Sequence, residues 1–426
     1  MLILLMFVTL VALICLNVPI AVALAISGII GLVATEGTGS LVTVALDMYD
    51  GSTKFSLIAI PMFVLAGAIM NAAGISRRLI AFVAALIGFV RGGLSMVTIG
   101  VSLFFAEISG SAVADVAAIG SILIPAMKKR GYGAPFSAAV TSSSASLAII
   151  IPPSIPMILY AVSAGTSVEQ LFVAGFVPGL LGAAGLMGVA YVFARRYDFP
   201  VEEAFNVGTL KATFIDALPT FSLPVIILGG IFGGFVTATE AAGLAVLASV
   251  VIGLYYNEVN FRRLKAAMLD GGMQTAVVML LVAASVLMGG FLTRAQLPQQ
   301  MAQEILAFTD NKYVILLILN VFFLVIGFFL HSAAAIILVV PIVVPLIQVV
   351  GIDPVHFGLV VTLNLAIGQQ TPPVASVLIT ACSIARANIW EVSKVNIYFV
   401  AVLLTVLLLC TYVPAVPMFL VEYFYR

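Results

Sequence analysis

Two stretches of the sequence place polar side chains directly before a pair of prolines. The first, Ser142–Pro153, reads SSSASLAIIIPP, and the second, Asn364–Pro373, reads NLAIGQQTPP. Proline has no amide hydrogen and cannot donate to the carbonyl four residues earlier, so each pair interrupts a helix. The carbonyl groups that lose their helical donors in this way belong to Ala148, Ile149, Gly368 and Gln369. Carbonyl, hydroxyl and amide oxygens are neutral ligands, and together they favour a cation such as Na⁺.

Two shorter polar sites lie upstream of these stretches, and each interrupts a long apolar segment. Ser109-Gly110-Ser111 is the first site, and His331-Ser332 is the second. The first predicted Na⁺ site is composed of Ser109, Gly110, Ser111, Ser144, Ser146, Ala148, Ile149, Pro152 and Pro153. The second predicted Na⁺ site is composed of His331, Ser332, Asn364, Gly368, Gln369, Thr371, Pro372 and Pro373. The candidates for substrate binding are Ser111, Ser142, Ser143, Ser332, Asn364 and Gln370, and we expect no cofactor and no metal other than Na⁺.

Each of these assignments has a simpler alternative. A run of small residues such as Ser142–Ser146 often serves only to let membrane helices pack closely. The two prolines that follow it, and the polar counterpart in the second stretch, favour an ion site. Glu107 and Asp115 flank Ser109-Gly110-Ser111 and could carry protons, although a structural or electrostatic role is the simpler interpretation. His331 is either functional or structural, whereas we interpret His356 as an ordinary loop or helix-end residue.

The helices that hold these residues are expected to lie in a lipid bilayer. Of the 426 residues, 63% are apolar and 8% are charged, whereas soluble domains average about 25% charged residues. Apolar stretches that reach the ~20 residues of a span recur along the chain, for example at 399–420. We therefore predict an all-α polytopic membrane protein whose apolar N-terminal stretch is a retained first span. The net charge of zero and the lack of a basic stripe argue against a nucleic-acid partner.

Lysine and arginine residues are concentrated at a few points, and such residues are enriched in cytoplasmic loops. Residues 79–90 lie between Arg78 and Arg91 and are too few for a span, so we predict an amphipathic helix at the cytoplasmic surface. The chain from Arg91 to Lys128 starts and ends on the same side. We therefore predict a re-entrant hairpin with its middle at 107–112. The other candidate cytoplasmic markers are Lys129–Arg130, Arg195–Arg196, Arg262–Lys265, Arg386 and Lys394.

The two halves of the chain resemble each other. Pro125, Gly131, Pro152 and Pro153 recur as Pro345, Gly351, Pro372 and Pro373, each 220 positions later. The basic residues do not recur. The positions that correspond to Lys128–Arg130 in the second half are Gln348–Val350, which are uncharged. The same architecture with opposite basic content predicts two inverted-topology repeats, each with a re-entrant hairpin and a proline-broken helix. Thr35-Glu36 in the first half corresponds to Thr239-Glu240 in the second half, and we interpret both acids as lying near the start of a helix.

The residues around the tips and the prolines carry a family resemblance. The segments SGSAVADVAAIGSILIPAMKKRGY (109–132), SSSASLAIIIPPSIPMILYA (142–161), GIDPVHFG (351–358) and NLAIGQQTPP (364–373) closely resemble the large membrane subunit of TRAP (tripartite ATP-independent periplasmic) transporters. The resemblance covers essentially the whole chain. One departure is His331, at a position where relatives more often carry an acidic or small polar residue.

This resemblance implies Na⁺-driven import of an organic acid by an elevator-type mechanism in a bacterial inner membrane. It also implies two protein partners, which are a small four-helix membrane subunit on a separate chain and a periplasmic binding protein that delivers the substrate. The sequence looks most like the sialic acid subgroup, with C4-dicarboxylates as the alternative substrates. A proton-coupled organic-anion symporter is a second alternative.

The elevator interpretation divides the chain into fixed and moving parts. We predict scaffold parts at 1–90 and 211–311, each ending in a surface arm helix, and transport parts at 91–165 and 312–385. A connecting span and a cytoplasmic loop occupy 166–210, a C-terminal span occupies 386–426, and both termini are expected in the periplasm. The segment 36–54 is only mildly apolar, although its counterpart at 238–256 is a clear span.

A membrane enzyme and a channel are the competing classes of protein. A hydrolase needs a nucleophile–base or metal set, and the sequence has no His-Glu-x-x-His, no paired Asp in a Gly-rich setting and no Gly-x-Ser-x-Gly. A P-loop is also absent from the sequence, so ATP does not drive this chain directly. A channel needs a pore ring from an oligomer, whereas this chain builds a pseudo-symmetric site of its own. We therefore expect a secondary transporter and not an enzyme.

Overall fold

The computed structural model of the chain describes residues 2–16, 18–201 and 204–425, and in these ranges the regular structure is entirely helical. Nine of the described helical segments are long and apolar enough to cross a bilayer. They are Phe55–Ala72, Ala134–Ala164, Val168–Arg196, Val207–Phe232, Ala238–Tyr255, Phe261–Arg294, Lys312–Phe329, Ser332–Val349 and Ile389–Tyr412. The prediction of an all-α multi-pass membrane protein is therefore confirmed.

The helices follow one another with short connections. In the first half they are α1 (Leu2–Cys15), α2 (Ile20–Glu36), α3 (Leu41–Ser52), α4 (Ala59–Ala72), α5 (Ile75–Ile87), α6 (Gly93–Ser109), α7 (Ala112–Asp115), α8 (Ser121–Lys129), α9 (Ala134–Ala145), α10 (Leu147–Ile150), α11 (Ile155–Ala164) and α12 (Val168–Arg196). In the second half they are α13 (Val207–Pro224), α14 (Gly230–Phe232), α15 (Ala238–Tyr255), α16 (Phe261–Arg294), α17 (Leu297–Phe308), α18 (Lys312–Phe329), α19 (Ser332–Val349), α20 (Pro354–Gly368), α21 (Ser376–Ala385), α22 (Ile389–Tyr412) and α23 (Ala415–Tyr425). A π-helical turn joins α7 to α8, and another joins α13 to α14.

Helix breaks lie at both predicted hairpin tips. Helix α6 ends at Ser109, and the chain turns at Gly110, whose φ of 58° lies in the left-handed region that favours glycine. A Cβ atom at Gly110 would lie 2.9 Å from the carbonyl oxygen of Pro153, so the tip also packs closely against the first proline pair. In the second half, α18 ends at Phe329 and α19 begins at Ser332.

Helix breaks also lie at both proline pairs. The chain leaves helical conformation after Ile150 and resumes it at Ile155, and in the second half it leaves after Gly368 and resumes at Ser376. Both Pro-Pro peptide bonds are cis. The missing amide donors explain why each helix ends at the prolines.

The helices of the two halves occur in the same order and with almost the same spacing. Corresponding helices begin at residues 75 and 297, 93 and 312, 112 and 332, 134 and 354, 155 and 376, and 168 and 389, which are offsets of 219 to 222 residues. The proline and glycine positions that repeat in the sequence thus coincide with a repeat of the helical elements.

Two groups of helices pack internally, and two arm helices contact both groups. The scaffold group consists of α1–α4, α13, α15 and α16, and the core group consists of α6–α12 and α18–α22. The arm helix α5 packs against α13 of the scaffold and α6 of the core, while α17 packs against α16 and α19. The C-terminal span α22 belongs to the core group, since it packs against α9, α12 and α20.

Charged residues mark two opposite ends of the helices. At the first end, Arg77, Arg78 and Arg263 lie within 4.0 Å of Glu258, and Arg91 pairs with Asp198 at 3.1 Å. We call this end, with Arg77, Arg78, Arg91, Lys128 and Arg263, the basic face. At the other end, Arg294 pairs with Glu36 at 3.2 Å and with Asp47 at 3.3 Å. We call that end, with Glu36, Asp47, Glu169 and Glu240, the acidic face.

Several of the shorter helices differ from the sequence-based expectations. Helices α1 and α3 contain 14 and 12 residues, so each is about 20 Å long and falls short of a hydrocarbon core of ~30 Å. The α3 helix in the segment 36–54 is therefore too short to cross the bilayer on its own, and Asp47 of α3 pairs with Arg294 at the acidic face. The predicted first span is a short helix, and Pro19 then precedes the first residue of α2, Ile20.

The interpretation of Glu36 was wrong, whereas that of Glu240 is confirmed. Glu36 is the last residue of helix α2, which ends before Gly37 with its φ of 78°, and the Glu36 carboxylate pairs with Arg294. Glu240 lies in the first turn of α15, where its carboxylate accepts from the Thr237 amide at 2.8 Å and the Thr237 hydroxyl caps the Glu240 amide. This reciprocal pair is a capping box.

Candidate functional site

A cavity of about 480 Å³ lies between the scaffold group and the core group. The core side of its wall includes both hairpin tips, with Gly110 and Ser111 from the first and His331 and Ser332 from the second. Residues beside both proline pairs complete that side, namely Ile149, Ile155, Pro156 and Gln369. The structure thus brings together at one cavity the four helix breaks that the sequence places far apart. A volume of this size lies within the range of small-molecule sites, roughly 300–1,000 Å³.

The cavity continues toward the basic face. A second cavity of about 590 Å³ shares Asn71, Ala114, Asp270 and Gln274 with the first and extends to Arg77 and Arg263. The path between the helix breaks and the basic face is therefore open in this conformation.

Two helix starts point their positive ends at the cavity. Helix α19 begins at Ser332, and α7 begins at Ala112, after the extended residue Ser111. Both starting residues line the cavity. Because the first turn of a helix has amide groups without internal partners, such ends attract anions. The arrangement favours a negatively charged group between the two tips.

Most of the first predicted Na⁺ site is buried behind the first tip. Ser144 accepts a hydrogen bond from the Ser102 hydroxyl at 3.0 Å, and both side chains are buried. The Ile149 carbonyl is not free as the sequence analysis expects, because the Ser154 hydroxyl donates to it at 2.8 Å. The side chains of Ser109 and Glu107 lie outside the described part of the chain. Asp115 is buried within the hairpin.

In the second predicted Na⁺ site, the carbonyl groups that lose a proline donor also accept hydrogen bonds from other groups. The Gly368 carbonyl accepts from the Thr371 amide at 3.0 Å, and the Gln369 carbonyl accepts from the Val377 amide at 3.2 Å. Each carbonyl oxygen keeps a second lone pair, so both remain available as ligands although neither is unpaired. The Asn364 amide donates to the Asn320 Oδ1 atom at 2.7 Å.

Three of the buried side-chain oxygens that have no hydrogen-bond partner among the described residues lie in the two polar stretches that precede the proline pairs. They are Ser142 Oγ, Asn364 Oδ1 and Gln370 Oε1. Buried polar atoms are nearly always paired, so these oxygens are free to accept a proton donor or a cation. In the described ranges no group of His, Cys, Asp and Glu side chains could hold a transition metal.

The predicted substrate-binding residues divide into two sets. Ser111 and Ser332 line the cavity. Ser142, Ser143, Asn364 and Gln370 are not among the residues that line it, although they are hardly more deeply buried than Ser332. A role in direct substrate contact is therefore favoured for the first set only. His331 also lines the cavity, whereas His356 lies in the first turn of α20, 2.8 Å from the Cys410 carbonyl oxygen and away from the cavity.

A buried amide that was not predicted from the sequence joins the two proline breaks. Asn396 of α22 accepts from the Ser143 hydroxyl at 2.7 Å and donates to the Gln370 carbonyl at 3.1 Å. The Gln370 amide in turn donates to the Ser146 hydroxyl. An asparagine inside a 24-residue candidate membrane span was the available signal, because amides in membrane helices hydrogen-bond to partners on other helices.

The polar residues on the scaffold side of the cavity were not predicted from the sequence either. Asn71 of α4 and Asp270 and Gln274 of α16 line it, and the Gln274 amide donates to the Asp270 carboxylate at 3.0 Å. The carboxylate of Asp270 interrupts a long apolar helix, which is a recognised sign of function in membrane proteins.

The sequence profile of the DctM component of tripartite ATP-independent periplasmic transporters matches residues 7–416. The chain belongs to this family. The DctM family consists of permeases of secondary transporters and not of enzymes, and the expectation from the sequence is confirmed at that level. The profile covers both hairpin tips, both proline pairs and the cavity between them.

Several curated relatives cover almost the whole of this DctM-family chain. It is 40% identical over 95% of its length to an isethionate TRAP transporter permease protein, DctMQ, of Oleidesulfovibrio alaskensis, and it spans 64% of that relative's length. It is 36% identical to the C4-dicarboxylate large permease DctM of Pseudomonas aeruginosa, over 89% of each chain. It is 35% identical to the sialic acid large permease SiaM of Vibrio cholerae, over 96% of each chain.

A solved structure with the same fold supports the helical arrangement. The crystal structure of the Alcanivorax borkumensis YdaH transporter superposes with a TM-score of 0.64 over 88% of each chain, at 15% sequence identity. At this identity the likeness concerns the fold alone. The relatives named for different substrates have similar identities to this chain, so the sialic acid subgroup is not singled out.

Proposed function

We propose that this chain is the large permease subunit of a TRAP transporter that imports an organic acid together with Na⁺ by an elevator-type movement. The observation that carries the proposal is the single cavity at which four helix breaks converge, two from each half of the chain. Broken helices of this kind hold ions and anionic substrates in secondary transporters. The two helix starts at the cavity favour the negative charge of an organic acid.

The charges support an orientation in the membrane. Basic loops face the cytoplasm, so the basic face is assigned to the cytoplasm and the acidic face to the periplasm. Arm helix α5 begins at the basic face, while α17 follows Arg294 at the acidic face. The two halves then have opposite orientations, as expected of inverted repeats. The path from the cavity to Arg77 and Arg263 supports an inward-facing conformation, and we assign both termini to the periplasm.

The elevator movement would carry the core group past the scaffold group. The cavity lies between the groups, so displacement of the core group would move the helix breaks from one face to the other. The arm helices contact both groups and are suited to guide that displacement. The alternative of a fixed site with moving gates would leave the core group at one depth in the bilayer.

Na⁺ coupling is supported by energetics and by the donor set. An anion that enters a cell with a negative interior opposes about 2.3 kcal/mol per charge per 100 mV. Accumulation of a monoanion therefore requires at least two co-transported cations. Ser142 Oγ, Asn364 Oδ1 and Gln370 Oε1 lie next to the two predicted sites and fit a hard cation. A proton carried by Glu107 or Asp115 is the alternative.

The substrate and partners are proposed on family grounds. Sialic acid remains our first candidate and C4-dicarboxylates the second, and isethionate is included because a relative is named for it. We further propose a small four-helix membrane subunit and a periplasmic binding protein as partners, in a bacterial inner membrane. A binding screen of the partner protein against these three acids identifies the substrate.

The coupling ion is tested in proteoliposomes that contain the permease, the small subunit and the loaded binding protein. We expect uptake of labelled substrate to require external Na⁺ and to persist when the pH gradient is collapsed. Uptake that ignores Na⁺ and disappears with the proton gradient would support the proton alternative and overturn the Na⁺ assignment.

A further inference from the structure

A small cavity of about 170 Å³ lies between the two helix groups near the acidic face. Its scaffold side includes Lys54, which precedes the span Phe55–Ala72, and Ser285 of α16. Its core side includes Ser163 of α11 and Ile337 and Pro341 of α19. This cavity therefore lies on the same contact between the groups as the larger one, but on the opposite side of the membrane from the open path.

Lys54 is a basic side chain that is free to bind an anion. It is exposed, and within the described ranges it has no ion pair within 4.0 Å. Other basic side chains at the acidic face are engaged, since Arg294 pairs with Glu36 and Asp47 and the Lys312 ammonium lies 5.2 Å from the centre of the Tyr313 ring. Lys54 thus supplies positive charge at the mouth of the contact between the groups.

The residues now opposite Lys54 lie on the same helices as the substrate cavity, further toward the acidic face. Ile337 and Pro341 follow the tip residue Ser332 by five and nine positions, or about 7 and 13 Å along α19. Ser163 follows Pro156 by seven positions, or about 10 Å along α11. Both helices run from the cavity to the acidic face. A displacement of the core group by roughly 10 Å would therefore bring the tips to the place that Ile337 and Ser163 occupy now.

We propose that Lys54 binds the acidic group of the substrate when the core group is in its outward position. The inference rests on the proposed elevator function and adds a specificity residue on the scaffold. In the inward position Lys54 is separated from the cavity by the apolar outer parts of α11 and α19, so its attraction does not retain the substrate. Lys54 therefore favours capture from the periplasmic side without slowing release at the basic face.

Cysteine cross-linking tests the apposition without a substrate. In a background in which Cys15, Cys382 and Cys410 are replaced by serine, the pair Lys54→Cys and Ile337→Cys should be bridged by mercuric ion in the inward state. The pair Lys54→Cys and Ser332→Cys should be bridged only in protein that has moved outward. Bridging of the first pair together with no bridging of the second under any condition would overturn the proposal.

Transport kinetics test the role of the charge. With labelled N-acetylneuraminate, succinate and isethionate as probes, Lys54→Gln in the full complex should raise the apparent KM for uptake by roughly tenfold, as expected for the loss of a charge-assisted contact. Lys54→Arg should restore most of the affinity. Lys312→Gln removes the same charge from the same face and should leave the KM unchanged.

The outcomes distinguish a failure of the proposed role of Lys54 from a failure of the proposed transport function. An unchanged KM in Lys54→Gln, with wild-type uptake intact, would overturn the role of Lys54 and leave the proposed function standing. A wild-type complex whose uptake does not depend on Na⁺ would contradict the coupling assignment, while the comparison of Gln and Arg at position 54 would still decide the role of the charge. Equal membrane levels of the variants, measured by immunoblotting, show that folding is not the cause.

Discussion

Asn396 illustrates how much one side chain contributes inside a membrane protein. It joins the hydroxyl of Ser143 in the first half to the carbonyl of Gln370 in the second half. Both partners are buried, so neither can turn to water when the amide is removed. A buried polar group without a partner costs roughly 1–3 kcal/mol.

We expect Asn396→Leu to lower the thermal unfolding temperature of the purified permease, because it leaves the hydroxyl of Ser143 and the carbonyl of Gln370 unpaired. Differential scanning fluorimetry measures the change. Thr405→Val is the matched control, since Thr405 lies on the exposed side of the same helix and its hydroxyl donates to the Ala401 carbonyl one turn earlier in that helix. Equal unfolding temperatures for the Leu variant and the wild type would contradict the structural role.

Pro152 is the residue at which a restored amide has the clearest consequence. In Pro152→Ala the new amide can donate to the Ala148 carbonyl four residues earlier, and that carbonyl belongs to the first predicted Na⁺ site. We expect a weaker apparent affinity for Na⁺, measured as uptake against external Na⁺ concentration. Pro219→Ala, within scaffold helix α13, should leave the Na⁺ affinity unchanged. If both variants behave alike, the carbonyl of Ala148 is not a ligand.

At the scale of elements, the local breaks could be predicted from the sequence and the long-range contacts could not. Pro152, Pro372 and Gly110 act on their own backbone, so their effect on helices is visible in the sequence alone. Whether Asn71 and Asp270 meet at a cavity depends on how α4 and α16 pack, which no local pattern specifies. The same limit explains why Glu36 was assigned to the wrong end of a helix, since its partner Arg294 lies 258 positions away.

The crossing of α18 and α20 provides a test of packing beside the second proline break. Gly327 and Gly368 face each other there, and a Cβ atom at Gly368 would lie 2.6 Å from the backbone of Gly327. Because backbone atoms cannot move aside as side chains do, Gly368→Ala should push the helices apart at a cost of about 1–3 kcal/mol.

We expect Gly368→Ala to lower the unfolding temperature and to reduce Na⁺-dependent uptake. Gly243→Ala is the control, since the space around Gly243 in α15 is open within 4 Å and alanine favours a helix over glycine. The control should be neutral or slightly stabilising in the same fluorimetry assay. A neutral Gly368→Ala would show that α18 and α20 approach less closely.

At the scale of the whole molecule, the arrangement of charge makes the orientation testable. In the proposed inverted topology, the ends of the two hairpins lie on opposite sides of the membrane. Single cysteines in place of Lys129 and Val349, in a cysteine-free background, should react with an impermeant maleimide from opposite sides. Labelling of both from the same side of intact and inverted vesicles would contradict the inverted repeats and the elevator that depends on them.

The hydrogen bond from the Gln370 amide to the Ser146 hydroxyl has a consequence for how the two proposed ions bind. Ser146 belongs to the first predicted Na⁺ site and Gln370 lies beside residues of the second, so an ion that orders one side chain also fixes the other. By linkage the coupling is reciprocal, and the second ion then binds more tightly than the first. We expect a Hill coefficient for Na⁺ above one in wild-type uptake and a value closer to one in Gln370→Leu. A Hill coefficient that is unchanged by this substitution would mean that the two ions bind independently.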